Sequence, residues 1–219
     1  ETISLDEQHR WISGLRHELE AFFEMAEKKN REESESARNF KELLEKKEML
    51  LKTLSPEHWE YVPGLKKIRI HGDYHLGQVL HSASGWMVID FEGEPSRSLP
   101  ERKAKTCALK DVAGMLRSFD YAVRVAWRDT PHAHGKLPEI CEELLRRSFV
   151  DGYLETVKER QGSFLAPSLE PMEDLLWYFE LQKAVYEIQY EVNNRPEWVD
   201  VPLQGLLRLL QKKSYAFRA

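Results

Sequence analysis

Helical periodicity over most of the chain, interrupted by one short β-rich run, predicts a mainly α-helical domain with a small β-hairpin insert. Three observations carry that prediction. Apolar residues recur at alternating steps of three and four on both sides of the run. Between residues 68 and 89 the period changes to two, the spacing of a strand. Breaks at Pro63-Gly64, Thr130-Pro131, Gln161-Gly162 and Arg195-Pro196 separate the periodic stretches.

The first element begins at Ser4-Leu5-Asp6-Glu7, which has the S-x-x-E form of a capping box. Ile12, Leu15, Leu19, Phe22 and Ala26 follow on one helical stripe. A polar joint from Lys28 to Ser36 leads to a second stripe through Ala37, Phe40, Leu44, Lys47, Leu51 and Leu54. Residues 1–55 therefore read as an antiparallel helical hairpin leading into residues 56–219. Ser55-Pro56-Glu57 places proline at a first helical position. Ile68 and Ile70 alternate with charge and predict a strand ending at His71. A polar segment, Gly72 to Gln78, precedes a second strand at Val79-Leu80. The turn Ser82-Ala83-Ser84-Gly85 precedes a third, Trp86 to Ile89.

After Asp90 the chain is irregular and charged through Lys105; Arg97, Arg102, Lys103 and Lys105 there read as solvated loop charge, the alternative being that they face substrate or phosphate. Leu109 to Trp127 predicts a helix with Val112, Met115, Leu116, Phe119 and Val123 on one side. Further helices are predicted over about 138–160, 171–192 and 201–213, with Leu176, Trp177 and Phe179 in the core. No internal repeat or low-complexity tract is present in the sequence.

Composition excludes several roles. A chain of 219 residues with 42% hydrophobic and 32% charged residues can bury a core as a soluble domain. A net charge of −5 argues against a phosphate-backbone or membrane-surface partner, which calls for basic excess. No apolar run reaches the roughly 18–20 residues needed to span a bilayer. Cys107 and Cys141 form no C-x-x-C pair and read as reduced thiols of a cytoplasmic protein. The start carries neither a signal-peptide pattern nor an initiator Met, and a fragment of a longer chain is expected.

The chemistry concentrates in the β-insert. His71-Gly72-Asp73-Tyr74-His75-Leu76-Gly77-Gln78 is followed, one hairpin later, by Val88-Ile89-Asp90-Phe91-Glu92-Gly93. Phosphoryl transfer needs a carboxylate to orient and deprotonate the attacking hydroxyl, and oxygen ligands to hold Mg²⁺ against nucleotide phosphates. Kinase-like sites place the first carboxylate after a short strand, an amide ligand five positions later and a metal-binding Asp after the next hairpin. Asp73, Gln78 and Asp90 follow that order. Asp73 is the candidate base, Gln78 and Asp90 are candidate metal ligands, and Glu92 is an additional metal-site carboxylate. His71 is expected to hydrogen-bond at the base of the loop. The plainer readings are turn-forming roles for Asp73 and Asp90 and an exposed charge at Glu92. A zinc pair at His71 and His75 lacks a third ligand.

Three stretches, IHGDYHLGQVL (70–80), WMVIDFEGEP (86–95) and LKDVAGMLRSFDYA (109–122), make the sequence resemble the C-terminal lobe of a maltokinase. Maltokinases are relatives of the aminoglycoside phosphotransferases within the protein-kinase-like fold. The resemblance covers about residue 65 to the C-terminus. It implies transfer of the ATP γ-phosphoryl group to maltose, with a trehalose synthase as a fused or separate partner. It also implies that Asp111 supports the His71–Asp73 turn. Gln78 in place of Asn, and Glu92 where D-F-G has glycine, depart from protein kinases and agree with maltokinases. No Gly-rich phosphate loop or V-A-I-K-like strand is present, so a preceding lobe is expected to grip ATP, and turnover is expected only with it.

Glu180, Lys183, Glu187, Glu191 and Asn194 share one face of the 171–192 helix, with Tyr186 and Tyr190 adjoining. Lys183, Tyr186, Glu187, Tyr190 and Glu191 are candidate acceptor-binding residues, because sugars bind polar groups beside aromatic faces. The alternative is a solvated face laced with i,i+4 ion pairs. A non-catalytic scaffold module of a trehalose synthase, or a kinase for another small alcohol such as an aminoglycoside, are the rival functions.

Overall fold

The computed structural model describes residues 1–219 except 33, 35, 96, 129–135, 161–163, 165–169 and 212–219. It is mainly helical, with one two-stranded sheet among the described residues. The predicted breaks Thr130-Pro131 and Gln161-Gly162, and the end of the last predicted helix at 212–213, lie outside the described residues.

The first helix, α1 (Leu5–Asn30), starts where the capping box predicts. Glu7 N donates to Ser4 Oγ at 3.3 Å and Ser4 N to Glu7 Oε2 at 3.2 Å. Its predicted stripe is entirely buried. The second half of the hairpin is two short helices, α2 (Ala37–Glu45) and α3 (Lys47–Thr53), instead of one. The break at Lys46 changes the phase of the stripe. Phe40, Leu43, Leu50 and Leu54 are buried, while Leu44 and Leu51 pack at the core's edge. Lys47 lies outside that core, reaching Glu27 at 3.0 Å and the Phe23 ring.

The predicted strand at Ile68–His71 does not form as such. Ile68 and Thr106 make a single antiparallel bridge, exchanging two backbone hydrogen bonds of 3.0 Å. Among the described residues no further partner extends that ladder, and the backbone turns at Gly72, whose φ is 87°. The hairpin itself is β1 (Val79–Ser82) and β2 (Gly85–Val88), with Val79 opposite Val88 and Ser82 opposite Gly85.

A short helix, α4 (Leu99–Lys103), follows the loop after Asp90. Behind the hairpin lie α5 (Leu109–Arg128), α6 (Leu137–Glu159), α7 (Glu170–Asn194) and α8 (Asp200–Gln211). α5 packs on α6, α7 and α8, and α7 packs on α1 and α8. Leu175, Leu176, Leu181, Ala184, Val185 and Ile188 of α7 merge with the α1 stripe into one hydrophobic core, to which Trp177 and Phe179 also belong. Tyr178 Oη ties the two helices by donating to the Trp11 carbonyl at 2.8 Å. Phe119, predicted on the α5 core face, is only partly buried.

Beside that apolar core α5, α6, α7 and α8 share a buried ionic layer. Arg117 bonds Asp120 and Glu187, Asp120 also bonds Arg124 and Arg208, and Arg146 forks onto Glu180 at 2.6 and 2.8 Å. Arg117 is 2% exposed, so these charges are viable only because each finds an opposite partner. Gly205 of α8 sits against Asp120 and Arg117, where a Cβ would collide with both side chains. Among the described residues no helix is long and apolar enough to cross a membrane. Cys107 and Cys141 are both free, and burial pushes the Cys107 thiol up to about 12.

Candidate active site

The His71–Gln78 loop is held from two directions. Asp111, in the first turn of α5, accepts from His71 N at 2.7 Å and Gly72 N at 2.9 Å. Burial pushes the Asp111 carboxyl up, against the pull of those two N–H groups. The His71 ring makes the second tie. Nε2 donates to the Ile89 carbonyl at 2.7 Å, and Nδ1 accepts from Asp73 N at 3.3 Å. Both contacts are satisfied by the neutral Nε2–H tautomer. One imidazole thus joins the turn that carries Asp73 to the residue before Asp90.

The two segments also meet backbone to backbone. A Cβ on Gly72 would lie 3.2 Å from Gly93 Cα, and both glycines have positive φ. Gly114 of α5 permits a third close approach: a Cβ there would lie 2.6 Å from the Tyr74 carbonyl oxygen. Close packing at these three positions brings the His71–Gln78 loop, the Asp90–Gly93 segment and α5 into one unit.

Within that unit Gln78 and Asp90 come together, the amide Nε2 donating to Asp90 Oδ2 at 3.1 Å. Asp90 has φ 62°, a left-handed conformation that Asp tolerates and that recurs at functional turns. Glu92 is turned to solvent, 81% exposed, with Arg102 as a charged neighbour at 3.9 Å. Two residues on, Glu94 is buried. An extended chain would send 90, 92 and 94 to one side; the positive φ of Gly93 (76°) breaks that alternation and turns Glu94 inward.

Asp73 faces a pocket. Its walls are Gly72 to Tyr74 of the loop, Glu94 and Arg97, Lys110, Asp111 and Gly114 of α5, and Phe179, Gln182, Lys183 and Tyr186 of α7. Lys183 Nζ reaches Asp73 Oδ1 at 3.1 Å and Glu94 Oε1 at 3.5 Å, and lies 4.8 Å from the Tyr186 ring centre. Burial alone would push the Lys183 ammonium down; Glu94, Asp73 and Glu187 outweigh it and hold it above its ordinary value. Lys110 goes the other way, pushed down by burial and by Arg97.

Of the five candidate acceptor residues on α7, Lys183 and Tyr186 line this pocket. Glu187 accepts from Arg117 at 2.8 and 3.2 Å, and Glu191 from Tyr121 at 2.9 Å and from Arg195. Glu180 is taken by Arg146. Tyr190 is 44% exposed, 6.4 Å from the Tyr186 ring. The polar face is therefore largely an interhelical ionic layer, because arginines on α5 and α6 meet it. Pocket residues that sequence patterns do not single out are Glu94, Lys110 and Gln182, while Phe179, expected in the core, and Arg97, expected as solvated loop charge, also line it. The D-F-E-G-E-P run contains Glu94, but its inward turn depends on Gly93.

A mainly helical domain with a small two-stranded hairpin, carrying a candidate base and a candidate metal-ligand pair, is consistent with a kinase-like lobe. No family model matches the chain. It is 32% identical over 150 residues to a glucosamine kinase of Streptacidiphilus jiangxiensis, covering 68% of this chain and 33% of that protein. It is 34% identical over 152 residues to a glucosamine kinase of Mycolicibacterium smegmatis, covering 68% and 36%. A solved glucosamine kinase in complex with glucosamine, ADP and inorganic phosphate superposes with a TM-score of 0.77 at 26% identity, over 97% of this chain and 50% of that one. Another glucosamine kinase structure, crystal form B, superposes at 0.78 with 24% identity, a likeness of fold alone. The chain spans about a third of the length of the curated relatives it matches. Its homologues are glucosamine kinases, which supports the sugar kinases as its family and does not extend to maltokinase in particular.

Proposed function

We propose that this chain is the acceptor-binding helical lobe of an ATP-dependent sugar kinase, with glucosamine as the first acceptor to test. The observation that carries the reading is that Asp73 opens into a pocket lined by Lys183, Glu94 and Tyr186, beside the Gln78–Asp90 pair that flanks the hairpin. The named activity of the relatives supports the acceptor class.

Asp73 is the base. The acceptor hydroxyl seated in the pocket gives its proton to Asp73 as its oxygen bonds to the γ-phosphorus of ATP. The bond from that phosphorus to the β,γ-bridging oxygen breaks, and ADP leaves. His71 and Asp111 keep the Asp73 turn fixed, so that the carboxylate meets the hydroxyl without reorganisation.

The residues present fit a Mg²⁺ site. Gln78 and Asp90 are neighbouring hard-oxygen donors, and turning the amide over presents its oxygen where its nitrogen now lies. Among the described residues no three His, Cys, Asp or Glu side chains group as a metal site, so phosphate oxygens and water would complete the shell. Glu92, exposed and 3.9 Å from Arg102, would be the additional carboxylate near that ion. Bound there, the ion would offset charge on the nucleotide phosphates. Turnover belongs to the longer parent chain, whose preceding lobe grips ATP. A cytoplasmic location is part of the same reading, in keeping with free thiols and ATP as substrate.

A second acceptor, maltose, is favoured by one feature. Tyr186 lines the pocket and Tyr190 continues outward as an exposed ring, a ledge that a second sugar ring could cover. Partnership with a trehalose synthase belongs to that reading alone.

The test is ATP-dependent phosphorylation of glucosamine and of maltose by the full parent chain, in wild type, Asp73→Asn and Asp90→Ala. The reading expects one sugar to be phosphorylated, a loss of at least a hundredfold in D73N, and weakened Mg²⁺-dependent nucleotide binding in D90A. Equal rates in wild type and D73N remove Asp73 from its role. Unchanged nucleotide binding in D90A removes the metal assignment.

A further inference from the structure

Three segments distant in sequence meet at one ammonium. Lys183 of α7 stands 3.1 Å from Asp73 of the loop and 3.5 Å from Glu94 of the metal segment. The three side chains are 23%, 20% and 9% exposed. Glu94 Oε1 is buried and accepts no hydrogen bond from any described residue, so the ion pair with Lys183 stands where a hydrogen bond is missing. The ammonium is shared between two carboxylates, and each changes what the other receives.

We infer that Lys183 is a positioning residue for the base: its ammonium holds the Asp73 carboxylate in one orientation, and Glu94, on the same ammonium, sets how much of that contact Asp73 receives. The inference rests on the reading of Asp73 as the base in the proposed function.

A general base works best when its proton affinity is matched to the reaction. An ammonium in full contact makes a carboxylate a weaker base, and none at all leaves it free to rotate and to protonate early. A second carboxylate on the same ammonium gives an intermediate setting. The other groups facing Asp73 do not duplicate this contact. His75 Nε2, from the same loop, lies 3.9 Å from Asp73 Oδ2, and its Nδ1 accepts from Gly77 N. Lys110 and Arg97 line the pocket, and Asp111 is held by the His71 and Gly72 amides.

The two partners give predictions of opposite sign, which a purely structural role does not. Removing the ammonium destabilises the Asp73 carboxylate and raises the pH at which it gains a proton. Removing the Glu94 charge leaves the ammonium to Asp73 alone and also removes a nearby negative charge, and both effects lower that pH.

The experiment measures the acid limb of kcat/KM for the acceptor in the full parent chain, for wild type, K183M, K183R, E94Q and D73N. In parallel, ¹³C NMR titration follows the Asp73 carboxyl carbon. In K183M the limb and the Asp73 titration move up by about one pH unit, with kcat down about tenfold or more. K183R restores both toward wild type, and E94Q moves both down. A limb that stays in place in K183M and E94Q, whatever the loss of rate, overturns the inference. If K183M does not fold, the direction in E94Q and the rescue in K183R decide it. D73N as active as wild type sinks the base reading and this inference with it. D73N inactive, with K183M and E94Q unshifted, sinks this inference alone.

Discussion

The His71 ring donates from Nε2 to the Ile89 carbonyl across 2.7 Å, joining the candidate base loop to the candidate metal segment. The ring is buried, and its other nitrogen takes the Asp73 amide. Both sides of the proposed reaction centre therefore depend on one side chain that need never touch substrate.

Replacing that ring tests the tie. His71→Ala leaves the Ile89 carbonyl and the Asp73 amide without their partner and should cost about 1–3 kcal/mol in a denaturant titration. In the full parent chain the turnover loss should exceed any change in acceptor KM, because orientation of Asp73 is what is lost. An H71A protein with wild-type kcat would show that the tie is unnecessary.

Gly114 makes a second, steric prediction. A Cβ there would come within 2.6 Å of the Tyr74 carbonyl oxygen, a backbone atom of the loop with little freedom to retreat. Gly114→Ala should destabilise by about 1–3 kcal/mol despite alanine's better helix propensity. It should also displace the Asp73 turn, lowering kcat. A G114A variant as stable as wild type would contradict the close contact.

The acidic face of α7 can be tested through Arg117. Its guanidinium holds Asp120 and Glu187 in a nearly solvent-free layer. Arg117→Met leaves those carboxylates short of a partner, and a loss of about 3–5 kcal/mol is expected in chemical denaturation. Glu187→Gln should lower Tm with little effect on acceptor KM. A large rise in KM with unchanged Tm would instead return Glu187 to the acceptor wall.

Cys107 supplies a pH prediction. Its buried thiol is raised from an ordinary 9.0 to about 12, so the native state keeps a proton that the unfolded chain releases above pH 9. The unfolded state then binds fewer protons, and stability falls as pH rises through the window from 9 to about 12. Wild type should lose about 1 kcal/mol per pH unit more than Cys107→Ala in that window, measured by urea titration. The native protein should also protect Cys107 from a thiol reagent at pH 8. Parallel pH curves for the two proteins would contradict the burial.

Much of the helical frame was legible in the sequence. The capping box at Ser4, the stripe from Ile12 to Ala26 and the long helix from Leu109 rest on interactions within a few residues. The hairpin was legible for the same reason. The strand expected at Ile68 was not, since a strand exists only with a partner, and Thr106 supplies a single bridge. The single second helix was also misjudged, because a break at Lys46 leaves no mark in residue type.

The same division holds at the site. The sequence by itself determined that Asp73, Gln78 and Asp90 would sit on a short loop and hairpin, because their spacing is local and fixed by backbone geometry. Only the tertiary structure decided that Lys183, 110 residues away, reaches Asp73, that Glu94 turns inward, and that Glu187 and Glu191 serve other helices. Periodicity states which residues share a face. What that face meets depends on packing between segments far apart in the chain.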